Sequence, residues 1–513
     1  MHKIKLLFLA VTVFFLVIVA VATAVPQVSS VSPTFQSRTR LVQVDVIVRD
    51  KNGPVMMLNQ DDFTLLDNGQ RQKISVFAVK GAPSARQAAV PLPAGTVSNR
   101  VTRNGQEAAS STVLLIDRLN TPVTDQRYAD QKIVKFLENR RSQDRIGIYA
   151  FGNGVQVVQD LTDDPDRLSR AISSLKPRDA NHRTLYTPGS MEKSEPEMSG
   201  RALEEYTLVT TDDRVTATKK ALEAIARHLA PVSGRKSLIW VTDSFPLLIQ
   251  TAHETKSYSQ DMKDAARALN DANVALYAVD ARGLVVGNFM KPREPWGFTM
   301  PGIDTMNTLA GLTGGRAFYA NNGLDSLIEE SVADSDLIYT LGFYPSQESQ
   351  NEDWHKLQVL VDRRGVSVRY REAYFASKVT ADADRHPTLD QLLRSTLDAS
   401  EIGLRAETKP DQAHPGVYDL RATVDLHDLH LEHQGTRWVG GVEVSLYLEG
   451  TPSAYKVTHK IVIPEDQLAS ALDQGIVVEV TIGAPGPARD LRVVVQDDAT
   501  GAGGSVRVPL GRK

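Results

Sequence analysis

The chain has no cysteine among its 513 residues. That absence excludes disulfides, thiolate metal sites, a cysteine nucleophile and lipid attachment through an amino-terminal cysteine. Each domain must therefore be held by core burial, or by a metal bound through other ligands. A basic tract is missing too: 58 lysines and arginines stand against 62 aspartates and glutamates, a formal charge of −4. Such a balance leaves no electrostatic footprint for nucleic acid. The chain also lacks a Gly-x-Ser-x-Gly elbow and a His-Glu-x-x-His helix, and no known spacing pairs a serine with a histidine. What remains is ordinary globular composition, with 42% apolar and 23% charged residues, which argues against wholesale disorder. One core stops growing near ~250–300 residues, so about two to four domains are expected.

The amino terminus stands apart. His2, Lys3 and Lys5 precede an apolar run from Leu6 to Ala22, and Ala22-Thr23-Ala24 fits the small-x-small cleavage pattern. Residues 1–24 read as a secretory signal cut after Ala24, which makes the protein exported: periplasmic, cell-surface or secreted. The alternative is a retained anchor, because roughly 17–19 apolar residues approach the ~20 that span a bilayer. Cleavage removes Lys3 and Lys5 and no acid, leaving 56 basic against 62 acidic residues, a charge of −6, and no membrane span. Residues 25–40, polar and proline-containing, read as a flexible leader.

Two runs carry the strongest signal. Thr112-Val113-Leu114-Leu115-Ile116-Asp117 is apolar on both faces and ends in a carboxylate, with Thr121 four residues on. Ser237-Leu238-Ile239-Trp240-Val241-Thr242-Asp243 repeats the pattern. Such runs suit central strands of a parallel sheet covered by helices. Ligands sit at the carboxyl ends of those strands. Two aspartates and nearby hydroxyls would converge there in an oxygen-only site suited to a hard divalent cation.

Strand and helix alternate over residues 111–335, which predicts a doubly wound α/β domain with right-handed crossovers. Asp163-Asp164-Pro165 opens one of its helices, and Thr216 to Leu229 forms another. The polar stretch 177–212, with Glu192, Glu195 and Glu197, breaks the rhythm and reads as a solvated loop. Before this domain, Val42, Val44, Val46 and Val48 alternate with more polar residues, the signature of a half-buried strand. Further strands are expected at 62–66 and 73–79, around a turn at Asp67-Asn68-Gly69. Strand character returns at 337–343, 355–361 and 366–371.

Residues 41–80 and 336–376 are each about 40 residues, near the size below which a domain rarely keeps a core unaided. They are therefore expected to pack as one discontinuous β-sandwich, with the α/β domain inserted between them. Residues 81–110 read as a linker, and 377–400 as a charged linker for which a helix is one reading. Short strands and turns over 401–513 predict a C-terminal all-β sandwich.

These segments together resemble a family of secreted proteins with a von Willebrand factor A-related domain, found in acidobacteria. The residues carrying the resemblance are "VQVDVIVRDKNGPVMMLNQDDFTLLDNGQRQKI", "TVLLIDRLNT", "GRKSLIWVTDSFP", "ALYAVDARGL", "LAGLTGGRAFYA" and "YTLGFYP…RYREAYFA". They run through roughly residues 40–376. The resemblance implies an A-type domain with a metal-ion-dependent adhesion site, in which one strand supplies Asp-x-Ser-x-Ser, a second loop a threonine and a third an aspartate. Asp117 and Thr121 match the ends of the opening motif, and Asp243 matches the third element. Thr216 is the threonine chosen, over Thr211. Leu119 stands where the first serine should be and removes a hydroxyl ligand. The implied ion is Mg²⁺, or Mn²⁺ or Ca²⁺, completed by an acidic side chain of a protein ligand.

Other features have plainer readings. Gly152-Asn153-Gly154 is a hairpin turn and not a phosphate loop, and Gly314-Gly315 ends a helix. His427, His430 and His433 read as exposed histidines, since a spacing of three puts them on alternate faces of a strand. Asp280 reads as a helix cap or loop anchor. The leading functional expectation is an exported, non-catalytic adhesion or binding protein. A metal-independent scaffold at the cell envelope is the alternative. A metal-dependent hydrolase is a third reading, which lacks a placed general base.

Overall fold

The computed structural model describes residues 41–81, 92–93, 95–100, 110–139, 144–152, 154–175, 200–243, 247–250, 253–282, 302–319, 323–345, 353–376, 388–448, 454–484 and 490–510. The expected signal peptide and leader lie outside these residues. Among the described residues no helix is long and apolar enough to cross a membrane.

The first strands are β1 (Val42–Asp50), β2 (Phe63–Asp67) and β3 (Val76–Lys80). Val42, Val44, Val46 and Val48 of β1 all face one apolar core. After β2 the chain reverses at Asn68 (φ 47°) and Gly69 (φ 83°), the two positive-φ positions that a two-residue hairpin needs.

The α/β unit follows as β4 (Ser110–Asp117), α1 (Val123–Asn139), β5 (Asp144–Phe151), β6 (Val155–Thr162), α2 (Pro165–Ser174) and α3 (Gly200–Leu229). It continues as β7 (Lys236–Thr242), α4 (Ser259–Asp271), β8 (Val274–Asp280), α5 (Ile303–Thr313), β9 (Ala317–Phe318) and α6 (Leu324–Ala333). Its sheet runs β9-β8-β7-β4-β5-β6, parallel throughout except for the antiparallel edge pair β5–β6. Side-chain alternation divides the two central runs between two cores. Val113, Leu115, Leu238 and Trp240 meet Val215, Leu222 and Ile225 of α3 and Met262 of α4. Leu114, Ile116, Ile239 and Val241 meet Ile133 and Phe136 of α1 and Ile328 of α6. Fully burying each such side chain is worth roughly 1.5–3 kcal/mol. Asp164 caps α2, accepting from Asp166 N at 2.9 Å with Pro165 in the first turn. Gly314 ends α5 at φ 77°, and a Cβ on Gly315 would lie 1.9 Å from Leu276 O.

α3 begins at Gly200 and not near Thr216, so residues 200–212 are helical where a solvated loop was expected. The remainder of that stretch, with Glu192, Glu195 and Glu197, lies outside the described residues.

Strands β10 (Ile338–Phe343), β11 (Asp353–Val361), β12 (Ser367–Arg369) and β13 (Ala373–Ala376) return to the first ones. One antiparallel sheet runs β12-β1-β10-β3, pairing Val44 with Leu341. A second contains β13-β11-β2, pairing Val359 with Leu65. Both sheets contribute to the same core. A buried polar link joins these three strands of the second sheet, with Asp67 Oδ1 2.8 Å from His355 Nδ1 and Asp67 Oδ2 accepting from Tyr374 OH at 2.9 Å.

The last strands are β14 (Leu404–Pro410), β15 (Val417–Val424), β16 (Arg437–Leu448), β17 (Ala454–Pro464), β18 (Ile476–Gly483), β19 (Asp490–Asp497) and β20 (Gly503–Pro509). They form two antiparallel sheets over a common core, β18-β15-β14 and β16-β19-β20 with β17 on β16.

Neither expected linker is only a linker. Val97–Ser98, from the first, adds an edge strand to β14. Asn99 beside it donates from Nδ2 to Ala399 O and Ile402 O, both at 2.7 Å, and accepts from Leu404 N at 2.9 Å. In the second, Leu389–Arg394 is a helix, and Ser400 N donates to Pro231 O. Arg145 at the start of β5 donates to Asn99 O. Pro231 and Arg145 lie at the amino edge of the parallel sheet. So does Asp334, which caps α6 and pairs with Arg49 and Arg369 of the first sheet pair. These ties leave the opposite, carboxyl edge to the α/β unit itself.

Asn99→Ala would strand two buried carbonyls and one buried N–H. A loss of about 2–4 kcal/mol is expected in urea unfolding followed by Trp438 fluorescence. A change under ~0.5 kcal/mol would show that residues 97–100 merely lie against β14.

Candidate functional site at the carboxyl rim

β4 and β7 are paired in register, Leu115 opposite Trp240. Their carboxyl ends therefore meet, and Asp117, Thr121 and Asp243 come together. Thr121 Oγ1 accepts from Asp243 N at 3.3 Å. Thr216 does not join them. It is exposed, whereas Thr211, Val215 and Thr218 are buried on the inward stripe of α3. Two residues along a helix turn the side chain by about 200°, so Thr218 facing inward forces Thr216 outward. The hydroxyl at the rim is that of Thr218, which accepts from Asn120 Nδ2 at 3.1 Å.

Asp117 is 1% exposed and accepts five hydrogen bonds. Oδ1 takes Leu119 N at 2.9 Å and Asn120 N at 2.8 Å. Oδ2 takes Asn120 Nδ2 at 2.8 Å, Trp240 Nε1 at 3.0 Å and Thr242 Oγ1 at 2.8 Å. Burial pushes this carboxyl up from its ordinary range, and the donors from Asn120, Thr242 and Trp240 oppose the rise. Asn120, Thr218, Trp240 and Thr242 were not among the expected site residues.

The rim holds further charge. Arg214 of α3 donates from Nε to Asn120 Oδ1 at 2.9 Å. Burial lowers its pKa, while Asp117 and Asp243 act to keep it charged. Arg118 grips Asp130 with two bonds of 2.7 and 2.9 Å. Asp280 anchors its own loop, taking Arg282 Nε and a second guanidinium nitrogen at 2.8 Å each. Among the described residues Asp243 has no such partner, and its Oδ1 is buried without a hydrogen bond. Its pKa is raised to about 8, first by burial and then by Asp125, with Asp280 and Asp117 adding to the rise against Arg282.

The implied cation does not fit these residues. A carboxylate offers about four lone-pair positions, and all of those on Asp117 face protein donors. Leu119 supplies no oxygen. Thr216 points away. The histidines offer no substitute: His427 Nδ1 lies 3.0 Å from Asp425, and His433 lies against Trp438 with ring centroids 4.8 Å apart. Among the described residues, no three His, Asp or Glu side chains are arranged to hold a metal ion.

No protein-family model and no curated protein matches the chain. Among solved structures it is similar to an aerotolerance-related membrane protein from Bacteroides fragilis, at 15% identity over 44% of this chain and 98% of that one, TM-score 0.26. It is similar to a von Willebrand factor type A protein from Catenulispora acidiphila, at 11% identity over 85% and 74%, TM-score 0.25. A third is proximal thread matrix protein 1 of the mussel byssus, with a zinc-occupied MIDAS motif, at 11% identity over 47% and 50%, TM-score 0.25. Overlap this loose carries no argument, and the doubly wound fold rests on the strand order and helix placement above.

The raised pKa of Asp243 makes a prediction. The unfolded carboxyl loses its proton near ~4, the folded one near 8. Between those values the folded state binds the extra proton, so stability falls as pH rises through that window. Asp243→Asn should melt at the wild-type temperature at or below about pH 4 and several degrees above it at pH 9. Parallel melting curves across that range would refute the assignment.

Proposed function

We propose that this chain is an exported, non-catalytic binding protein that engages a protein partner at the cell envelope without a metal ion. The observation carrying this reading is the saturated Asp117 carboxylate, which has no position left for an exchangeable cation. The same saturation argues against catalysis, because a carboxylate committed to five donors serves neither as base nor as metal ligand. In this reading the two sheets built from 41–80 and 336–376 are one discontinuous sandwich, with the α/β domain inserted, and residues 401–513 are a C-terminal sandwich. The sandwiches fix the α/β domain by its amino edge and leave its carboxyl rim to the partner.

A second reading, cation-dependent adhesion, is favoured by one atom. Asp243 Oδ1 is buried and unpartnered, a polar oxygen that a cation would satisfy, with an acidic group of the partner completing its shell.

Capture from envelope extract by the immobilised full-length chain separates the two. The same partner should be retained in millimolar Mg²⁺ and in chelator. Asp243→Asn should leave capture unchanged. Loss of the partner in chelator, together with its loss from Asp243→Asn in Mg²⁺, would overturn the metal-independent reading in favour of the second.

A further inference from the structure

The misfit between the rim and a cation has a specific cause in Arg214. We propose that the Arg214 guanidinium is the resident cation of this site, doing permanently the neutralising work that a bound ion would do exchangeably. The inference shares the metal-free rim with the function proposed above and does not depend on a partner.

The connection runs through one amide. Arg214 Nε donates to Asn120 Oδ1 at 2.9 Å, and Asn120 Nδ2 donates to Asp117 Oδ2 at 2.8 Å. The amide dipole is thus aligned, carbonyl towards the cation and NH₂ towards the anion, and each bond polarises the other. Thr218 fixes this relay from one turn further along α3. Its hydroxyl accepts from Asn120 Nδ2 at 3.1 Å and donates to Arg214 O at 2.8 Å. Asn120 is held at a third point by its backbone N–H on Asp117 Oδ1. The amide therefore cannot flip without breaking several bonds.

Charge accounting agrees. Asp117 and Asp243 both act on Arg214, and the resemblance would assign both to a metal. With Asp243 holding its proton to about pH 8, Asp117 is the charge left for the guanidinium to meet. The other arginines of the rim are committed elsewhere, Arg118 to Asp130 and Arg282 to Asp280. A guanidinium suits this post. It stays charged at any physiological pH, hydrogen-bonds in a fixed plane and cannot dissociate. It also explains why Leu119 is tolerated: with no ion to coordinate, a hydroxyl there would have no task. A rim built this way has a single state, indifferent to chelator and to divalent-ion concentration.

The test uses the purified full-length chain, with thermal melting and calorimetric titration of MgCl₂, MnCl₂ and CaCl₂. Wild type should show no binding heat and a melting shift below ~1 °C at ~10 mM ion. Arg214→Met should melt about 6–12 °C lower, because the buried Asp117 charge is left unopposed. The same substitution in an Asp117→Asn background should cost less than half of that, and Arg214→Lys should keep most of the wild-type stability. Leu119→Ser/Arg214→Ser, which restores a hydroxyl and removes the guanidinium, should be stabilised by Mn²⁺. Stoichiometric ion binding by wild type would overturn the proposal. So would equal costs of Arg214→Met in the two backgrounds. If Arg214→Met is too unstable to purify, Arg214→Lys decides: a charge-keeping variant that melts about 6 °C or more below wild type, equally with Asp117 and with Asp117→Asn, removes the electrostatic role.

Discussion

The carboxylate of Asp117 joins four separate pieces of chain at one point inside the protein. Its own strand β4 brings it there, the following turn supplies Leu119 N and Asn120, and β7 supplies Trp240 and Thr242. α3 arrives through Thr218 and Arg214 on Asn120. A buried charge is tolerable only when its oxygens are fully met by donors and a counter-charge lies close. Five donors meet the oxygens here and the Arg214 guanidinium is linked to them through Asn120, an arrangement that fixes the geometry of the β4 turn, the phase of α3 and the approach of β7 together. Removal of any one donor would leave the others around an under-satisfied anion, so the rim is specified as a unit and not residue by residue.

The other charges of the rim follow the same logic and show where it stops. Asp130 and Asp280 each receive an arginine directly. Asp243 receives a threonine hydroxyl on its backbone N–H but nothing on Oδ1. With Asp125, Asp280 and Asp117 nearby, it lowers its cost by keeping a proton. Of the five carboxylates in this neighbourhood, Asp130 and Asp280 are settled by direct ion pairs, Asp117 by a relayed one and Asp243 by protonation, while Asp125 has its pKa raised by burial and by Asp280. That distribution is why an acidic rim can persist without an added cation.

Much of the fold was legible because the two runs at 113–116 and 238–241 are apolar at every position, which suits a strand covered on both faces. They became neighbouring strands with aspartates at a common rim. The error over Thr216 was avoidable. Val215, Leu222, Ile225 and Leu229 mark a stripe of period 3.6, and Thr218 and Thr211 fall on it while Thr216 falls opposite. A choice by helical phase, in place of residue type and position after a loop, would have found Thr218. The start of α3 was not legible, since Leu203, Tyr206, Leu208 and Val209 do not all fall on one helical face. The edge strand at Val97–Ser98 was also out of reach. Two residues carry no periodicity, and Asn99 finds partners some 300 positions away. The saturation of Asp117 depends on register: only when Leu115 is set opposite Trp240 do the indole and Thr242 fall beside the carboxylate.

Residues distant in sequence also decide which edge of the α/β unit is free. Every tie described between it and the flanking sheets falls at the amino edge: Arg145 with Asn99, Pro231 with Ser400, and Asp334 with Arg49 and Arg369. Helices in a doubly wound sheet run back from the carboxyl rim, so their carboxyl ends gather at that amino edge. There Asp334 follows α6 and Gly314 follows α5, and Arg235 donates to Gly314 O. Cations at the ends of helices are favoured by the helix dipole, which gives arginines from β1, β12 and the turn before β7 a common destination. The same polarity puts helix amino ends, with their unpaired N–H groups, around the carboxyl rim, where Asp117, Asp125 and Asp243 lie. One sheet polarity therefore sorts the molecule into a cationic seam that fastens the domains and an acidic rim whose charge is balanced from within. Among the described residues, none of the groups at that rim is committed to holding the domains together.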